Sequence, residues 1–124
     1  MKKYLKYMLL SCLLYTGVYA QQTIPIQAKP LENILISFKS DSVALFANSF
    51  SKEIDSEEIK QSKWKERLNE GKEKFKKRFG DYQIQDFSFK YVDSTSQLQV
   101  FFRNKEAFKV LVIEEDSHWK LKEH

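Results

Sequence analysis

Across residues 86–121, apolar side chains return at every second position through four successive runs. Phe87, Phe89 and Tyr91 alternate with Ser88 and Lys90. Leu98, Val100 and Phe102 keep the same spacing, and Trp119 and Leu121 close the series. A side-chain period of two held over this length specifies an antiparallel sheet with one face toward a core. Turn-forming residues separate the runs at 93–96, 104–105 and 115–117. The third run differs from its neighbours. Phe108, Val110 and Val112 point one way and Ala107, Leu111 and Ile113 the other, so both of its faces are expected to be covered.

The period changes upstream. Leu31, Ile34, Leu35 and Phe38 follow Pro30 at i, i+3, i+4 and i+7, a helical stripe behind a proline that the first turn tolerates. Lys39 and Ser40 interrupt it. Asp41 or Ser42 is then placed to cap a second short helix whose stripe is Val43, Phe46, Ala47 and Phe50. Residues 51–61 are highly charged. Ile59 falls far from the stripe that follows, which predicts a break near Gln61 and Ser62, with a short strand or turn before it.

The strongest helical signal covers 63–79. Trp64, Leu68, Gly71, Phe75 and Phe79 fall on one arc at the helical period. Glu70 with Lys74, and Glu73 with Lys77, have the favourable i, i+4 order. Lys76, Lys77 and Arg78 occupy the last turn, where the helix dipole favours cations, and Gly80 stands where a left-handed terminator is expected. Gly71 on the apolar arc costs about 1 kcal/mol relative to alanine and predicts a close approach by the sheet. Helices followed by a run of strands define an α+β fold: N-terminal helices packed on a curved antiparallel sheet of about four strands.

The first twenty residues read as an address. Lys2, Lys3 and Lys6 precede an apolar stretch, and Val18-Tyr19-Ala20 forms a small-x-small cleavage site, the layout of a secretory signal peptide cut after Ala20. The stretch is short of the about 20 apolar residues that a membrane span needs, and no transmembrane segment is expected in the mature chain. Cys12 offers a rival, since Leu9-Leu10-Ser11-Cys12 has the form of a lipoprotein box. Two features count against lipid anchoring: the apolar run before Cys12 is broken by Lys6, and apolar residues continue beyond it. The expected layout is a signal peptide over 1–20, a flexible lead-in over 21–29 and one domain over 30–124.

Processing changes the charge argument. Of the 21 basic residues, three are the leader lysines, which leaves 18 against 17 acidic residues in an exported chain of 104. A nearly neutral domain has no electrostatic footprint for nucleic acid. It would also lack cysteine, which excludes a disulfide framework and a thiol nucleophile. Only Gly71 and Gly80 lie downstream of the leader, so no glycine-rich phosphate loop exists.

The stretches ILISFKSDSVALFANSF and FKVLVIEEDSHWKL, read as a helix–turn–helix and a closing hairpin, resemble the nuclear-transport-factor-like (SnoaL-like, cystatin-like) superfamily. The resemblance extends as a pattern over most of residues 30–123, closest to its small exported bacterial branch. It implies a cone-shaped fold, a cavity between helices and sheet, and pairing through the sheet. Enzymes of that superfamily place an Asp, His or Tyr inside the cone for proton abstraction. Here His118 alternates with Trp119 and points outward, and His124 is terminal, so catalytic, metal and cofactor sites are all expected to be absent.

Tyr91, Trp64 and Trp119 remain as candidates to line a pocket for a small apolar ligand, although aromatic stripes at these periods most often form core. Phe101, Leu111 and Ile113, with Ile84 and Val92, lie opposite the expected core and are the candidate interface for a homodimer or another partner. The sequence therefore favours an exported non-catalytic binding or protein-interaction module. A small-molecule isomerase or dehydratase of the SnoaL-like kind, and a surface-acting inhibitor or immunity-type protein, are the competing readings.

Overall fold

The computed structural model describes residues 24–52 and 61–122. The leader, Cys12, the Ala20 cleavage site and most of the charged 51–61 connection lie outside the described residues. The fold is α+β, helices followed by a four-stranded open antiparallel sheet.

Helix α1 (Lys29–Ser40) begins behind a 3-10 turn at Ile26–Ala28, with Pro30 in its first turn. The turn is packed: Ala28 is buried and the segment touches both edges of the sheet. Regular structure is thus already present within 21–29, the segment expected to be a flexible lead-in. Leu31, Ile34, Leu35 and Phe38 are all buried. Ser37 joins them because its hydroxyl donates to the Ile34 carbonyl at 2.6 Å, which removes the cost of an unpaired buried donor. Asp41 ends the helix with φ 58° and donates its backbone N–H to the Ser37 carbonyl at 2.7 Å. Its carboxylate meets the Lys72 ammonium at 2.5 Å. Ser42, the second of the two expected caps, accepts from the Leu45 N–H at 3.2 Å and starts α2 (Val43–Asn48).

Helix α3 (Gln61–Phe79) buries Trp64 and Leu68 and half-buries Phe75 and Phe79. Gly80 terminates it with φ 68° and an N–H bond of 2.8 Å to the Lys76 carbonyl. Gly71 is where helix meets helix, not helix and sheet: a Cβ there would lie 3.0 Å from Phe38 Cζ of α1. Neither Glu70 with Lys74 nor Glu73 with Lys77 closes to an ion pair. The four side chains flank a shallow groove along the outer side of α3.

The strands β1 (Phe87–Val92), β2 (Gln97–Phe102), β3 (Lys105–Glu115) and β4 (His118–Lys122) form a meander in the order β1-β2-β3-β4. Two tight turns have positive φ at both central residues, Arg103 and Asn104 (50° and 71°), then Asp116 and Ser117 (50° and 69°). Such turns match the right-handed twist of a hairpin. The second sits within the expected turn. The first lies one residue earlier than 104–105, and Lys105 is already in β3. A bulge between Val100 and Phe101 accounts for the shift: Val100 pairs with Phe108 but Phe101 with Glu106, leaving Ala107 as the extra residue. The freed Ala107 carbonyl accepts from the Arg78 guanidinium at 2.5 Å.

Strands about 4.8 Å apart would hold β1 and β4 roughly 14 Å apart in a flat sheet. Yet the rings of Tyr91 on β1 and Trp119 on β4 have centroids 5.6 Å apart, and the Ile26–Ala28 turn contacts both strands. The sheet is curled. Its concave face (Phe87, Leu98, Val100, Val112, Leu121) joins the helical stripes in one core cluster. Ile84, expected on the opposite side, packs against that cluster from a 3-10 turn at Ile84–Asp86.

Two substitutions check this architecture. Gly80→Ala meets no steric obstacle, so its expected cost of about 1 kcal/mol is left-handed strain alone, read as a drop in Tm of about 4–8 °C. Gly71→Ala gains about 1 kcal/mol of helix propensity but overpacks the buried Phe38 ring, which costs about 1–3 kcal/mol. A net loss is expected in urea unfolding, reversing to a gain in a Phe38→Leu background.

Candidate functional site

The pocket candidates separate into two groups of rings. Trp64 is 3% exposed and packs against Phe46 and Phe50, with centroids 6.0 and 5.3 Å away. Arg67 lies over its face. Tyr91 and Trp119 meet each other edge to face across the curl of the sheet, both half-buried and both packed against the core cluster. The fold therefore brings two of the three together and sets the third among the helices.

The interface candidates stay together as a set. Phe101, Leu111 and Ile113, with Val92, are half-buried and stand outside the core cluster. Register explains why. Ser88, Phe101 and Glu106 form one cross-strand row on the convex face; Lys90, Gln99 and Lys109 form the next. Val92, Gln97, Leu111 and Lys122 form the third, followed by Ile113 beside Lys120 and Glu115 beside His118. The two-sided apolar character of β3 thus has different causes on its two faces. Phe108, Val110 and Val112 belong with the helices, whereas Leu111 and Ile113 do not.

A polar cleft that sequence reasoning missed lies at the β3–β4 turn. Residues 49–51 run beside β4: the Ser51 N–H donates to the Leu121 carbonyl and the Leu121 N–H to the Ser49 carbonyl, both at 2.8 Å. Phe50 forms a parallel bridge with Leu121. This addition to the sheet edge brings Lys52 to the turn. Its backbone N–H donates to Glu115 at 3.1 Å and its ammonium meets Asp116 at 2.8 Å. Lys120 donates to the Asn48 carbonyl at the end of α2. Asn48, Phe50, Lys52, Asp116, His118 and Lys120 line a cleft of about 170 Å³.

The hydrogen bond from Lys52, and then its charge, hold the Asp116 carboxyl below its ordinary value. The same bond and charge push Lys52 above its own. Both groups are fully exposed, so this is a surface ion pair, and neither shift comes from burial in a dry site. Elsewhere, burial pushes the Tyr82 phenol up. The Lys39 ammonium stands 4.3 Å from the centre of that ring while donating to the Tyr82 carbonyl at 2.8 Å.

Asp86, just before β1, is a structural clamp. Its carboxylate accepts from the Gln83 N–H at 2.9 Å and meets the Arg103 guanidinium at 3.4 Å. Its carbonyl takes the Arg103 N–H at 2.8 Å. Among the described residues no aspartate, glutamate or histidine is buried, no group of three or more His, Cys, Asp or Glu converges as a metal site, and no helix is long and apolar enough to cross a membrane. No family model, curated protein or solved structure matches the chain.

The Lys52–Asp116 pair carries a signed pH dependence. A depressed carboxyl contributes stability that is present above its ordinary value of 3.8 and is lost as the pH falls through the depressed one. A raised ammonium contributes stability that is fully present below its ordinary value of 10.5 and is lost as the pH climbs through the raised one. Asp116→Asn is therefore expected to lower the urea midpoint slightly at neutral pH. The difference from wild type should fade in acid and shrink in concentrated salt.

Proposed function

We propose that the chain is an exported, non-catalytic interaction module built on the nuclear-transport-factor-like plan, and that it pairs with a second copy through the convex face of its sheet. The observation that carries this reading is the position of Val92, Phe101, Leu111 and Ile113. Four apolar residues on one sheet face stand outside the only core cluster of the described residues. A twofold partner suits that face because such an interface is self-complementary, and the surrounding charges have both signs. Lys90, Lys109 and Lys122 stand among the apolar residues with Glu106 and Glu115, so opposed copies can match opposite charges.

Export is supported by the three leader lysines, the apolar stretch and the Val18-Tyr19-Ala20 site. The non-catalytic reading is supported by the lack of a buried carboxylate or histidine among the described residues. A general base tuned for work at neutral pH needs burial or a like-charged neighbour to move its pKa. The edge-to-face pair of Tyr91 and Trp119 is where a small apolar ligand would touch the inner face.

Light scattering or sedimentation measures the pairing directly. The expected mass is that of two chains at high micromolar concentration. Leu111→Asp should reduce it to one chain while leaving the circular dichroism and melting temperature close to wild type, because Leu111 is outside the core. A wild-type mass of one chain at that concentration sinks the proposal.

A further inference from the structure

The two edges of the sheet end differently. Beside β4, residues 49–51 take up backbone groups, through the bonds from Ser51 to Leu121 and from Leu121 to Ser49. β1 has no such neighbour, and its pairing with β2 fixes which of its groups are left over. The Arg103 N–H bonds to the Asp86 carbonyl, in step with the register that sets Phe87 opposite Phe102. In an antiparallel ladder every second residue then exchanges bonds with its partner. Ser88, Lys90 and Val92 turn their N–H and C=O groups toward β2, whereas Phe89 and Tyr91 turn theirs out of the sheet. Among the described residues no hydrogen bond reaches these outward groups. The Ile26–Ala28 turn touches β1 but shares no hydrogen bond with it.

Donors and acceptors repeating every two residues are paired as a row only by another extended backbone. Register argues against that backbone being a second copy of β1. The arrangement that uses the Phe89 and Tyr91 groups of both copies sets Phe89 of one against Tyr91 of the other, and so brings the two Lys90 residues face to face. Like charges directly opposite each other destabilise a strand pair. Lys90 is exposed and forms no ion pair among the described residues. Its cross-strand row continues through Gln99 to Lys109, which is engaged with Glu106, so the row holds no carboxylate. The edge therefore lacks an acid. On the concave side Phe89 and Tyr91 are only half-buried, and apolar residues across from them would complete their burial.

The geometry points to the free edge of β1 as the docking site for an extended segment of another protein, which adds as a further antiparallel strand with an acidic residue opposite Lys90 and an apolar residue on either side of it. The backbone of that segment bonds to the outward N–H and C=O groups of Phe89 and Tyr91. Its carboxylate meets Lys90 on the convex side, in the kind of pair whose side chains stand closest because no backbone bonds join the two residues. Its flanking side chains lie beside Phe89 and Tyr91 on the concave side. The backbone bonds supply affinity and Lys90 supplies the choice of sequence. This edge is separate from Leu111 and Ile113 on β3, so the two contacts can fail independently.

NMR of the isotope-labelled chain from Gln21 on, which contains every residue of the core cluster, tests the inference. In the free protein the Phe89 and Tyr91 amides should exchange with solvent much faster than those of Ser88 and Lys90. The probe is the peptide acetyl-Ser-Val-Glu-Val-Ser-amide, with millimolar affinity expected. Its titration should shift the Phe89 and Tyr91 amides and slow their exchange. Replacing its glutamate by lysine should weaken binding about threefold or more, and Lys90→Glu should reverse that order. Methylating both valine nitrogens should abolish binding, because those N–H groups face β1. The same titration on Leu111→Asp should give the same affinity, which separates this edge from pairing through the convex face. Slow exchange of Phe89 and Tyr91 in the free protein, equal binding of the glutamate and lysine peptides, or binding that survives methylation would each overturn it.

Discussion

Phe75 and Phe79, one turn apart on α3, join the two halves of this fold. The Phe75 ring lies 5.1 Å from Phe38 of α1 and 5.9 Å from Phe108 of β3. Phe79 lies 5.2 Å from Phe87 of β1 and 4.8 Å from Phe102 of β2. Two adjacent residues of one helix therefore touch another helix and three strands. A four-stranded meander with one apolar face is not stable alone in water, and neither is an isolated helix of this length. The rings supply the shared burial that stabilises both, in tilted and edge-on arrangements that aromatic pairs favour.

That seam constrains the shape of the sheet as well. For the concave face to wrap helices from two directions, β1 and β4 must approach each other, as the contact between Tyr91 and Trp119 records. The bulge at Ala107 adds local twist to β3, and Arg78 satisfies the carbonyl that it frees. Curling in one direction gives the sheet an inside and an outside. Leu111 and Ile113 are left on the outside by the same alternation that puts Val110 and Val112 within. Their apolar character has no counterpart among the described helices, and the proposed pairing rests on that face.

Much of this was legible in the residues. The four strands, the stripes of α1 and α3, the Ser42 cap and the Gly80 terminator all follow from spacing and from local hydrogen-bonding chemistry. The neighbour of Gly71 was not. Its place on an apolar arc required a close approach, but nothing in the spacing distinguishes a sheet from the Phe38 ring. Neither was the position of the β2–β3 turn, because the bulge moves the register by one residue and alternation cannot register an extra residue in a run apolar on both sides. The polar cleft was hidden for a related reason. Lys52 reaches Glu115 and Asp116 only because residues 49–51 lie along β4, and a three-residue pairing leaves no periodic signal.

The amino-acid order by itself determined the kinds of element, their faces and their ends, since side-chain period and capping are properties of a few neighbouring residues. Only the tertiary structure decided which faces meet: α1 against α3 at Gly71, residues 49–51 against β4, and the basic turn of α3 against the hairpin at Arg103 and Lys105. Those contacts join residues tens of positions apart. They are selected by how the aromatic volumes fill one concave interior, and no local window of the chain contains that information.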